Sequence, residues 1–158
     1  MGVLHLPIGP VGAGKSTWSL RQTALHVDVD TWMVDLFGAD PRPSTDVLAW
    51  YLERRERVRR RAWAVATDAL ELGMDVVLEL GLVGRAERID AYHRALALDA
   101  EVRIHWIDAP RGERRARVLA RNTQAGAQVV PEAMFERASD AWEPPDDDEV
   151  ARYGISRV

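Results

Sequence analysis

Near its amino end the chain contains Gly9-Pro10-Val11-Gly12-Ala13-Gly14-Lys15-Ser16-Thr17, which fits the pattern G-x-x-x-x-G-K-[ST] of a phosphate-binding loop, or P-loop. Glycines let the backbone adopt positive φ angles and approach a polyphosphate closely. Successive N–H groups then point at the β-phosphate, together with the positive end of the following helix. We therefore expect these nine residues to bind a nucleoside triphosphate.

Two side chains of this loop carry further chemistry. Lys15 supplies a positive charge for the β- and γ-phosphate oxygens, and it is the only lysine in a chain whose other basic residues are Arg and His. Ser16 offers a hydroxyl to Mg²⁺, which prefers oxygen ligands. The loop therefore predicts ATP and Mg²⁺ as cofactors, with Lys15 catalytic and Ser16 as the metal ligand.

The segments on either side of the loop agree with the motif. Residues 3–8 are mostly apolar, as in a buried strand, and residues 16–23 contain no Gly or Pro and are predicted to be a helix. The required order of strand, glycine loop and helix is therefore present. Pro7 cannot donate to a sheet, so we expect it near a strand end or at an edge position.

Composition bounds the class of protein. A chain of 158 residues with 47% apolar residues is expected to form one domain, 1–158, with a core of its own. We found no apolar run of the ~18 residues that a membrane span needs and no signal-peptide pattern at the start, so we expect a cytoplasmic protein. The absence of Cys excludes disulfides and thiolate catalysis, and the four scattered His give no metal-ligand spacing.

The rest of the chain predicts strands and helices in alternation. Strands are predicted at 24–29, 75–80, 102–107 and 153–158, and helices at 30–37, 45–72, 85–98, 110–121 and 131–142. Ser44 or Thr45 is the expected N-cap of the long helix. Its apolar positions predict one buried stripe of Leu48, Leu52, Val58, Ala62, Val65, Ala66 and Ala69. The acidic run 143–149 contains two prolines and is expected to end the last helix.

This alternation predicts an α/β fold with three layers, a mainly parallel sheet between helices, as in P-loop NTPases. Ligands of such sheets bind at the carboxyl ends of the strands. Four features are expected to meet there: the P-loop, Asp30 after the second strand, Glu79 at the end of the third, and an Arg-rich helix after the fourth.

Two acidic residues are candidates for the chemistry. Asp30 could accept the proton of a hydroxyl that attacks the γ-phosphate, or it could cap the following helix, and Asp28 is an equal candidate for either role. Glu79 could hold a water on Mg²⁺ or orient the acceptor, or it could simply pair with Arg85 or Arg88. We therefore assign Glu79 and Arg85 to substrate binding, with that ion pair as the alternative.

Arginines supply the other candidates. Arg114, Arg117 and Arg121 share one helical face and could neutralise the transferring phosphoryl group, Arg121 first and Arg117 second. Their helix and the loop after it, about 111–131, could form a lid over the nucleotide. The alternative is a solvated face. The Arg-rich run 52–61 is better explained as a solvated face with i,i+4 ion pairs than as a nucleic-acid patch.

A resemblance to a known family rests on residues in a fixed order. These are the P-loop, Asp30, Val-Val-Leu-Glu-Leu-Gly-Leu at 76–82, Arg85-Ala-Glu-Arg88, Ile-Asp-Ala-Pro at 107–110, Arg121-Asn122 and Val130-Pro131-Glu-Ala-Met-Phe. The order resembles the small P-loop kinases often labelled AAA-type ATP-binding proteins. That group includes the kinase domain of phage polynucleotide kinase, chloramphenicol phosphotransferase and the zeta toxins.

The resemblance implies a nucleoside-monophosphate-kinase-like fold that uses Mg-ATP, with Asp30 as the acceptor-activating residue and Arg121 as a lid arginine. Two positions depart from the polynucleotide kinase pattern, since Ala125 and Met33 stand where that pattern has arginines. We therefore predict transfer of the γ-phosphate to a hydroxyl of a small molecule or nucleotide. An ATPase switch without an acceptor and a kinase of nucleic-acid 5′-hydroxyls are the alternatives.

Overall fold

The computed structural model describes residues 1–125 and 129–158. Five strands lie in this part of the chain: β1 (Val3–Ile8), β2 (Leu25–Asp28), β3 (Val76–Glu79), β4 (Glu101–Trp106) and β5 (Ser156–Arg157). The helices there are α1 (Lys15–Ser19), α2 (Val29–Phe37), α3 (Val47–Glu71), α4 (Arg85–Leu96), α5 (Arg111–Asn122), α6 (Glu132–Ala141) and α7 (Asp147–Tyr153). Among these helices, none has the length and apolar character that a membrane crossing requires.

The five strands form one sheet in the order β2-β3-β1-β4-β5, and every neighbouring pair is parallel. The predicted α/β fold with a parallel sheet is therefore confirmed. All four residues of β3 are buried, which fits a strand covered on both faces. Because parallel strands end at the same edge, the register of β2 with β3 sets Asp28 opposite Glu79.

Helices cover both faces of this sheet. Side chains alternate along a strand, so Leu4 and Leu6 of β1 point to one face and His5 to the other. The helix α3 packs on β1, β2 and β3, while Trp18 of α1 stacks on His105 beside His5, with 4.4 Å between the ring centroids. Burial and the neighbouring His5 lower the pKa of His105 to about 4. His105 is therefore uncharged at pH 7, and it packs on Trp18 as a neutral ring.

One local prediction about the first elements was wrong, and another was confirmed in one of its two alternatives. The helix α1 ends at Ser19 and not at residue 23; the Ser19 hydroxyl donates 2.9 Å back to the Lys15 carbonyl. Pro7 lies near the end of β1, as one expectation had it, but β1 is the central strand and not an edge. Pro7 is tolerated there because the register of β1 with β3 ends at His5 and Val77, two residues earlier.

The long helix α3 differs from its prediction at its beginning. Asp46, with φ of 54°, occupies the N-cap without a side-chain bond, so the predicted caps at Ser44 or Thr45 were wrong. Of the predicted buried stripe, Val58, Ala62, Ala66 and Ala69 are buried and Val65 is partly buried, but Leu48 and Leu52 are 70% and 52% exposed. The cause is length, because the first turns of α3 extend past the edge of the sheet.

The helix α7 was not predicted, since the acidic run 143–149 contains two prolines. Both prolines precede the helix, and Asp146 caps it by accepting from the Glu149 amide at 2.8 Å. Glu149 is fully buried and accepts two hydrogen bonds from Arg88, at 2.7 and 2.9 Å, and one from Tyr92 at 3.2 Å. This buried ion pair joins α7 to α4.

We predict that Glu149→Ala lowers the free energy of unfolding by about 3–5 kcal/mol, because it leaves the Arg88 guanidinium buried without its carboxylate. Urea unfolding followed by circular dichroism measures the change. Asp147→Ala is the control, since Asp147 lies in the same helical turn but is exposed, and its effect should stay within about 0.5 kcal/mol. Equal unfolding midpoints for the two variants would show that the buried pair does not hold α7 in place.

Candidate active site

The P-loop connects β1 to α1 and packs closely on α5. Gly12 has φ of 76°, and a Cβ atom there would lie 2.8 Å from the Arg114 carbonyl oxygen, so no other residue fits. Gly14, with φ of 103°, is the N-cap of α1, and a Cβ atom there would meet nothing closer than Arg117 Nη1 at 3.9 Å. The loop is therefore packed on its inner side and open at the N-terminus of α1.

Lys15 lies inside this loop. Its Nζ donates to the carbonyl oxygens of Gly9, at 2.8 Å, and Pro10, at 2.9 Å. Burial lowers the pKa of Lys15, while the charges of Glu79 and Asp30 act in the opposite direction. Both acidic groups are thus near enough to act on the ammonium group.

Ser16 contacts the end of β3. Its hydroxyl donates to Glu79 Oε2 at 3.1 Å, and His26 Nε2 lies 2.8 Å from the other carboxylate oxygen. Burial acts to raise the pKa of Glu79, but the hydrogen bonds from His26 and Ser16, together with the charge of His26, outweigh it and lower that pKa. Glu79 is therefore an ionised carboxylate, 6% exposed, directly beside the predicted Mg²⁺ ligand.

The surroundings of Glu79 correct one expectation and add one candidate cation cluster. The alternative pairing with Arg85 or Arg88 was wrong, because its partners are His26 and Ser16. Ligand atoms of His26, Asp28 and Glu79 all lie within 4.8 Å of one another and could hold a cation. Spacing along the chain gave no sign of this cluster, since the pairing of β2 with β3 brings together residues that are about fifty positions apart.

The two aspartates at the junction of β2 and α2 have different contacts. Asp28 caps α2, with Oδ1 accepting from the Asp30 amide at 2.9 Å and Oδ2 from the Thr31 hydroxyl at 2.7 Å. The capping alternative for Asp30 is therefore wrong. The Asp30 side chain is 62% exposed, and its Oδ1 accepts a hydrogen bond of 2.6 Å from Arg55 Nη1.

Arg55 was missed as a site residue. Its side chain is only 12% exposed, and it donates to Asp30, to the Tyr51 hydroxyl at 3.1 Å and to the carbonyl oxygens of Leu80 and Gly81 at 3.0 and 3.3 Å. The solvated-face prediction for 52–61 is therefore wrong at Arg55, although Glu53 and Arg57 do pair. The available signal was spacing, because Arg55 lies seven residues before Ala62 on the buried stripe.

The three arginines of α5 lie at different distances from the P-loop. Arg114 is buried and donates to Val11 O and Ser139 Oγ, both at 3.0 Å, so it fixes α5 against the loop. Arg117 Nη1 donates to the Ala13 carbonyl oxygen at 3.1 Å. Arg121 is exposed and has no ion pair or side-chain hydrogen bond in the described ranges. In this conformation Arg117, rather than the first choice Arg121, lies at the P-loop.

Arg85 lies with the carboxylates of the C-terminal segment. Its Nη1 donates to Asp146 at 2.6 Å, and Asp148 and Glu149 lie within 4 Å. These acids offset a positive charge at the N-terminus of α4, where the helix dipole disfavours it. The contacts of Arg85 therefore belong to the packing of α7, and none of them supports its predicted role in substrate binding.

The predicted lid, 111–131, includes residues 126–128, which lie outside the described residues. At the base of this loop the Asn122 side chain bonds both backbone groups of Val130, at 2.8 and 2.9 Å. Ala125, where the polynucleotide kinase pattern has an arginine, is exposed. Closure of a lid stays a prediction.

Comparison with solved structures supports the fold. A chain of the Pnkp1/Rnl/Hen1 RNA repair complex aligns with a TM-score of 0.64 and 20% identity, covering 89% of this chain and 43% of that one. Kti12 of Chaetomium thermophilum, in complex with ADP-AlF3, aligns with a TM-score of 0.67 and 14% identity, covering 98% of this chain and 88% of that one. APS kinase CysC of Mycobacterium tuberculosis, in complex with AMPPNP and APS, aligns with a TM-score of 0.55 and 17% identity, covering 99% of this chain and 87% of that one.

The chain spans less than half of the RNA repair chain, and at these identities the likeness concerns the fold alone. No curated protein matches the chain in sequence. The sequence model of the family described as AAA domain matches residues 4–145, which is most of the chain. The chain therefore belongs to the AAA domain family and has its P-loop, kinase-like α/β fold.

Proposed function

We propose that this protein is an ATP-dependent phosphotransferase that moves the γ-phosphate of Mg-ATP to a hydroxyl of a small molecule or nucleotide. One observation carries the proposal. An exposed carboxylate, Asp30, is fixed by Arg55 at the same sheet edge as the P-loop, close enough for its charge to act on Lys15. A carboxylate in this position can accept the proton of an attacking hydroxyl, which is the step that a kinase requires.

The residues present fit a nucleotide and a divalent cation. The open N-terminus of α1 at Gly14 presents backbone amides without a side chain in the way. Residues 9–17 would hold the phosphates, Lys15 the β/γ oxygens, and Ser16 with Glu79 the cation and its waters. When bound, Mg-ATP supplies the phosphoryl group, and its metal ion offsets the negative charge of that group.

Asp30 is suited to act as the base. Arg55 holds its Oδ1, whereas Oδ2 makes no hydrogen bond within the described part of the chain, and the side chain is 62% exposed. The acceptor hydroxyl would transfer its proton to Asp30 as its oxygen bonds to the γ-phosphorus. The bond from that phosphorus to the leaving oxygen of ADP then breaks.

The arginines of α5 are suited to the charge that develops during transfer. Arg117 already lies beside the P-loop, and a shift of its side chain from the Ala13 carbonyl would bring it to the phosphates. Arg121 is one turn farther along and would need the predicted lid to close. Two arginines of the run 52–61, Arg55 and Arg59, are bound to internal partners, which weakens the case for a nucleic-acid acceptor.

The position of Arg55 depends on Gly81. Gly81 has φ of +63°, and a Cβ atom there would lie 2.3 Å from Arg55 Nη2 and 3.4 Å from both Asp30 carboxylate oxygens. A larger residue would therefore push the guanidinium away from Asp30.

We expect Asp30→Asn to reduce phosphoryl transfer by about 100-fold or more, because an amide cannot accept the hydroxyl proton. Mg-ATP affinity, measured by calorimetry, should change less than about threefold, since the nucleotide is held by the P-loop. Transfer is measured as labelled product from γ-labelled ATP in a metabolite screen. Asp35→Asn, an exposed residue of the same helix, is the control, and equal turnover of both variants would remove Asp30 from the role.

We expect Gly81→Ala to destabilise the protein more than Gly154→Ala does and to impair transfer. Both glycines have φ near +60°, so both substitutions carry the left-handed cost of about 1–2 kcal/mol. A Cβ atom at Gly154 meets nothing within 4 Å. The additional loss of stability in Gly81→Ala, relative to Gly154→Ala, therefore measures the cost of displacing Arg55. Urea unfolding and the transfer assay provide the comparison. Identical losses for the two variants would mean that Gly81 does not support Arg55.

A further inference from the structure

One face of α3 continues from the core past the edge of the sheet. Its positions recur at spacings of four and three residues and therefore lie in one row along the helix: Leu48, Leu52, Arg55, Arg59, Ala62, Ala66 and Ala69. The three alanines are buried under the sheet. Arg55 and Arg59 both donate to the carbonyl oxygen of Leu80, just past the end of β3. Leu48 and Leu52 come next and extend beyond the sheet.

The position of these leucines follows from helix geometry. An α-helix rises about 1.5 Å per residue, so Leu52 and Leu48 lie roughly 4.5 and 10 Å along the axis from Arg55. Arg55 is the residue that binds Asp30, at 2.6 Å. The apolar side chains thus begin one turn from Arg55, the residue that binds the proposed base, in the same row of the helix.

Isolated exposed leucines are common on protein surfaces, but these two occupy the inward stripe of a helix. They are 70% and 52% exposed, and the adjoining Val47 is 43% exposed. Together they form an exposed apolar wall, defined by Val47, Leu48 and Leu52, at the end of the helix beyond Arg55.

The nearby cations are held by internal partners. Arg54 lies 4.1 Å and Arg42 4.8 Å from the centre of the Trp50 ring, so both guanidinium groups stack on that side chain. Arg55 pairs with Asp30, and Arg59 with Glu87 at 3.0 Å. The two arginines in the same helical row as the apolar wall, Arg55 and Arg59, are therefore paired with carboxylates, and beyond Arg55 the row continues with apolar side chains.

The following inference about the acceptor substrate rests on the proposed function. We infer that the acceptor is an alcohol with an apolar body, aromatic or aliphatic, which lies on the apolar wall while its hydroxyl meets Asp30. A polyanionic acceptor would need cations that are occupied here, and a bare polyol would leave the leucines in water.

The inference is tested with alcohols matched in pairs, namely benzyl alcohol with methanol and phenylethanol with ethanol. A 5′-hydroxyl oligoribonucleotide is the polyanionic comparison. Binding is measured by calorimetry to the protein loaded with Mg-AMPPNP, and transfer with γ-labelled ATP. We expect the aromatic member of each pair to bind at least about tenfold more tightly than its partner.

Leu52→Asp should weaken the binding of the aromatic alcohols by about tenfold, whereas Leu72→Asp should leave that binding unchanged. Leu72 is the matched control, since it is 81% exposed at the other end of the same helix. Leu52→Asn serves if the charged variant has a lower melting temperature. Affinity for Mg-AMPPNP should stay unchanged in all three variants.

Three results would overturn the inference. They are no preference for the aromatic alcohols, an affinity of Leu52→Asp for these alcohols equal to that of the wild-type protein, and selective phosphorylation of the oligoribonucleotide. A wild-type dimer that Leu52→Asp converts to a monomer in sedimentation would also overturn it, because a second copy would then cover the wall. Absence of Mg-AMPPNP binding or of any labelled product is a separate result, which contradicts the proposed function itself.

Discussion

The parallel register of the sheet is the constraint on which the site depends. Because β2, β3 and β1 are neighbours and end at one edge, Asp28, Glu79 and the P-loop come together from distant parts of the sequence. Ser16 then reaches Glu79, and Glu79 reaches His26, without any of these residues being close in the chain. A slip of one residue in β3 would turn Glu79 to the other face and separate Ser16 from its carboxylate.

Arginines, rather than lysines, hold the elements around this edge. Arg55 ties α3 to Asp30 and to the end of β3, Arg114 ties α5 to the P-loop, and Arg88 ties α4 to α7. A guanidinium can donate in several directions at once, so a single side chain can satisfy carbonyl oxygens and a carboxylate together. The one lysine is kept for the P-loop, where a compact charge suits phosphate oxygens.

The motif and the alternation of elements were sufficient to predict the P-loop, the parallel sheet and the sheet edge at which Asp28, Glu79 and the P-loop meet. They failed where long-range packing decides. Leu48 and Leu52 have the periodicity of buried residues, and only the length of α3 relative to the sheet leaves them exposed. Arg55 belongs to a charged run that looks solvated, and its partners are set by the turn at Gly81. The helix α7 forms because Glu149 pairs with a buried arginine, which local sequence does not show.

Calorimetry with Mg-ATP on the wild-type protein and on Lys15→Ala is the most direct test of the central claim, which is that residues 9–17 hold a nucleoside triphosphate. The account predicts saturable binding to the wild-type protein and a loss of affinity of about tenfold or more in the variant, with an unchanged circular dichroism spectrum. No heat with the wild-type protein, or equal affinity in the variant, would contradict it.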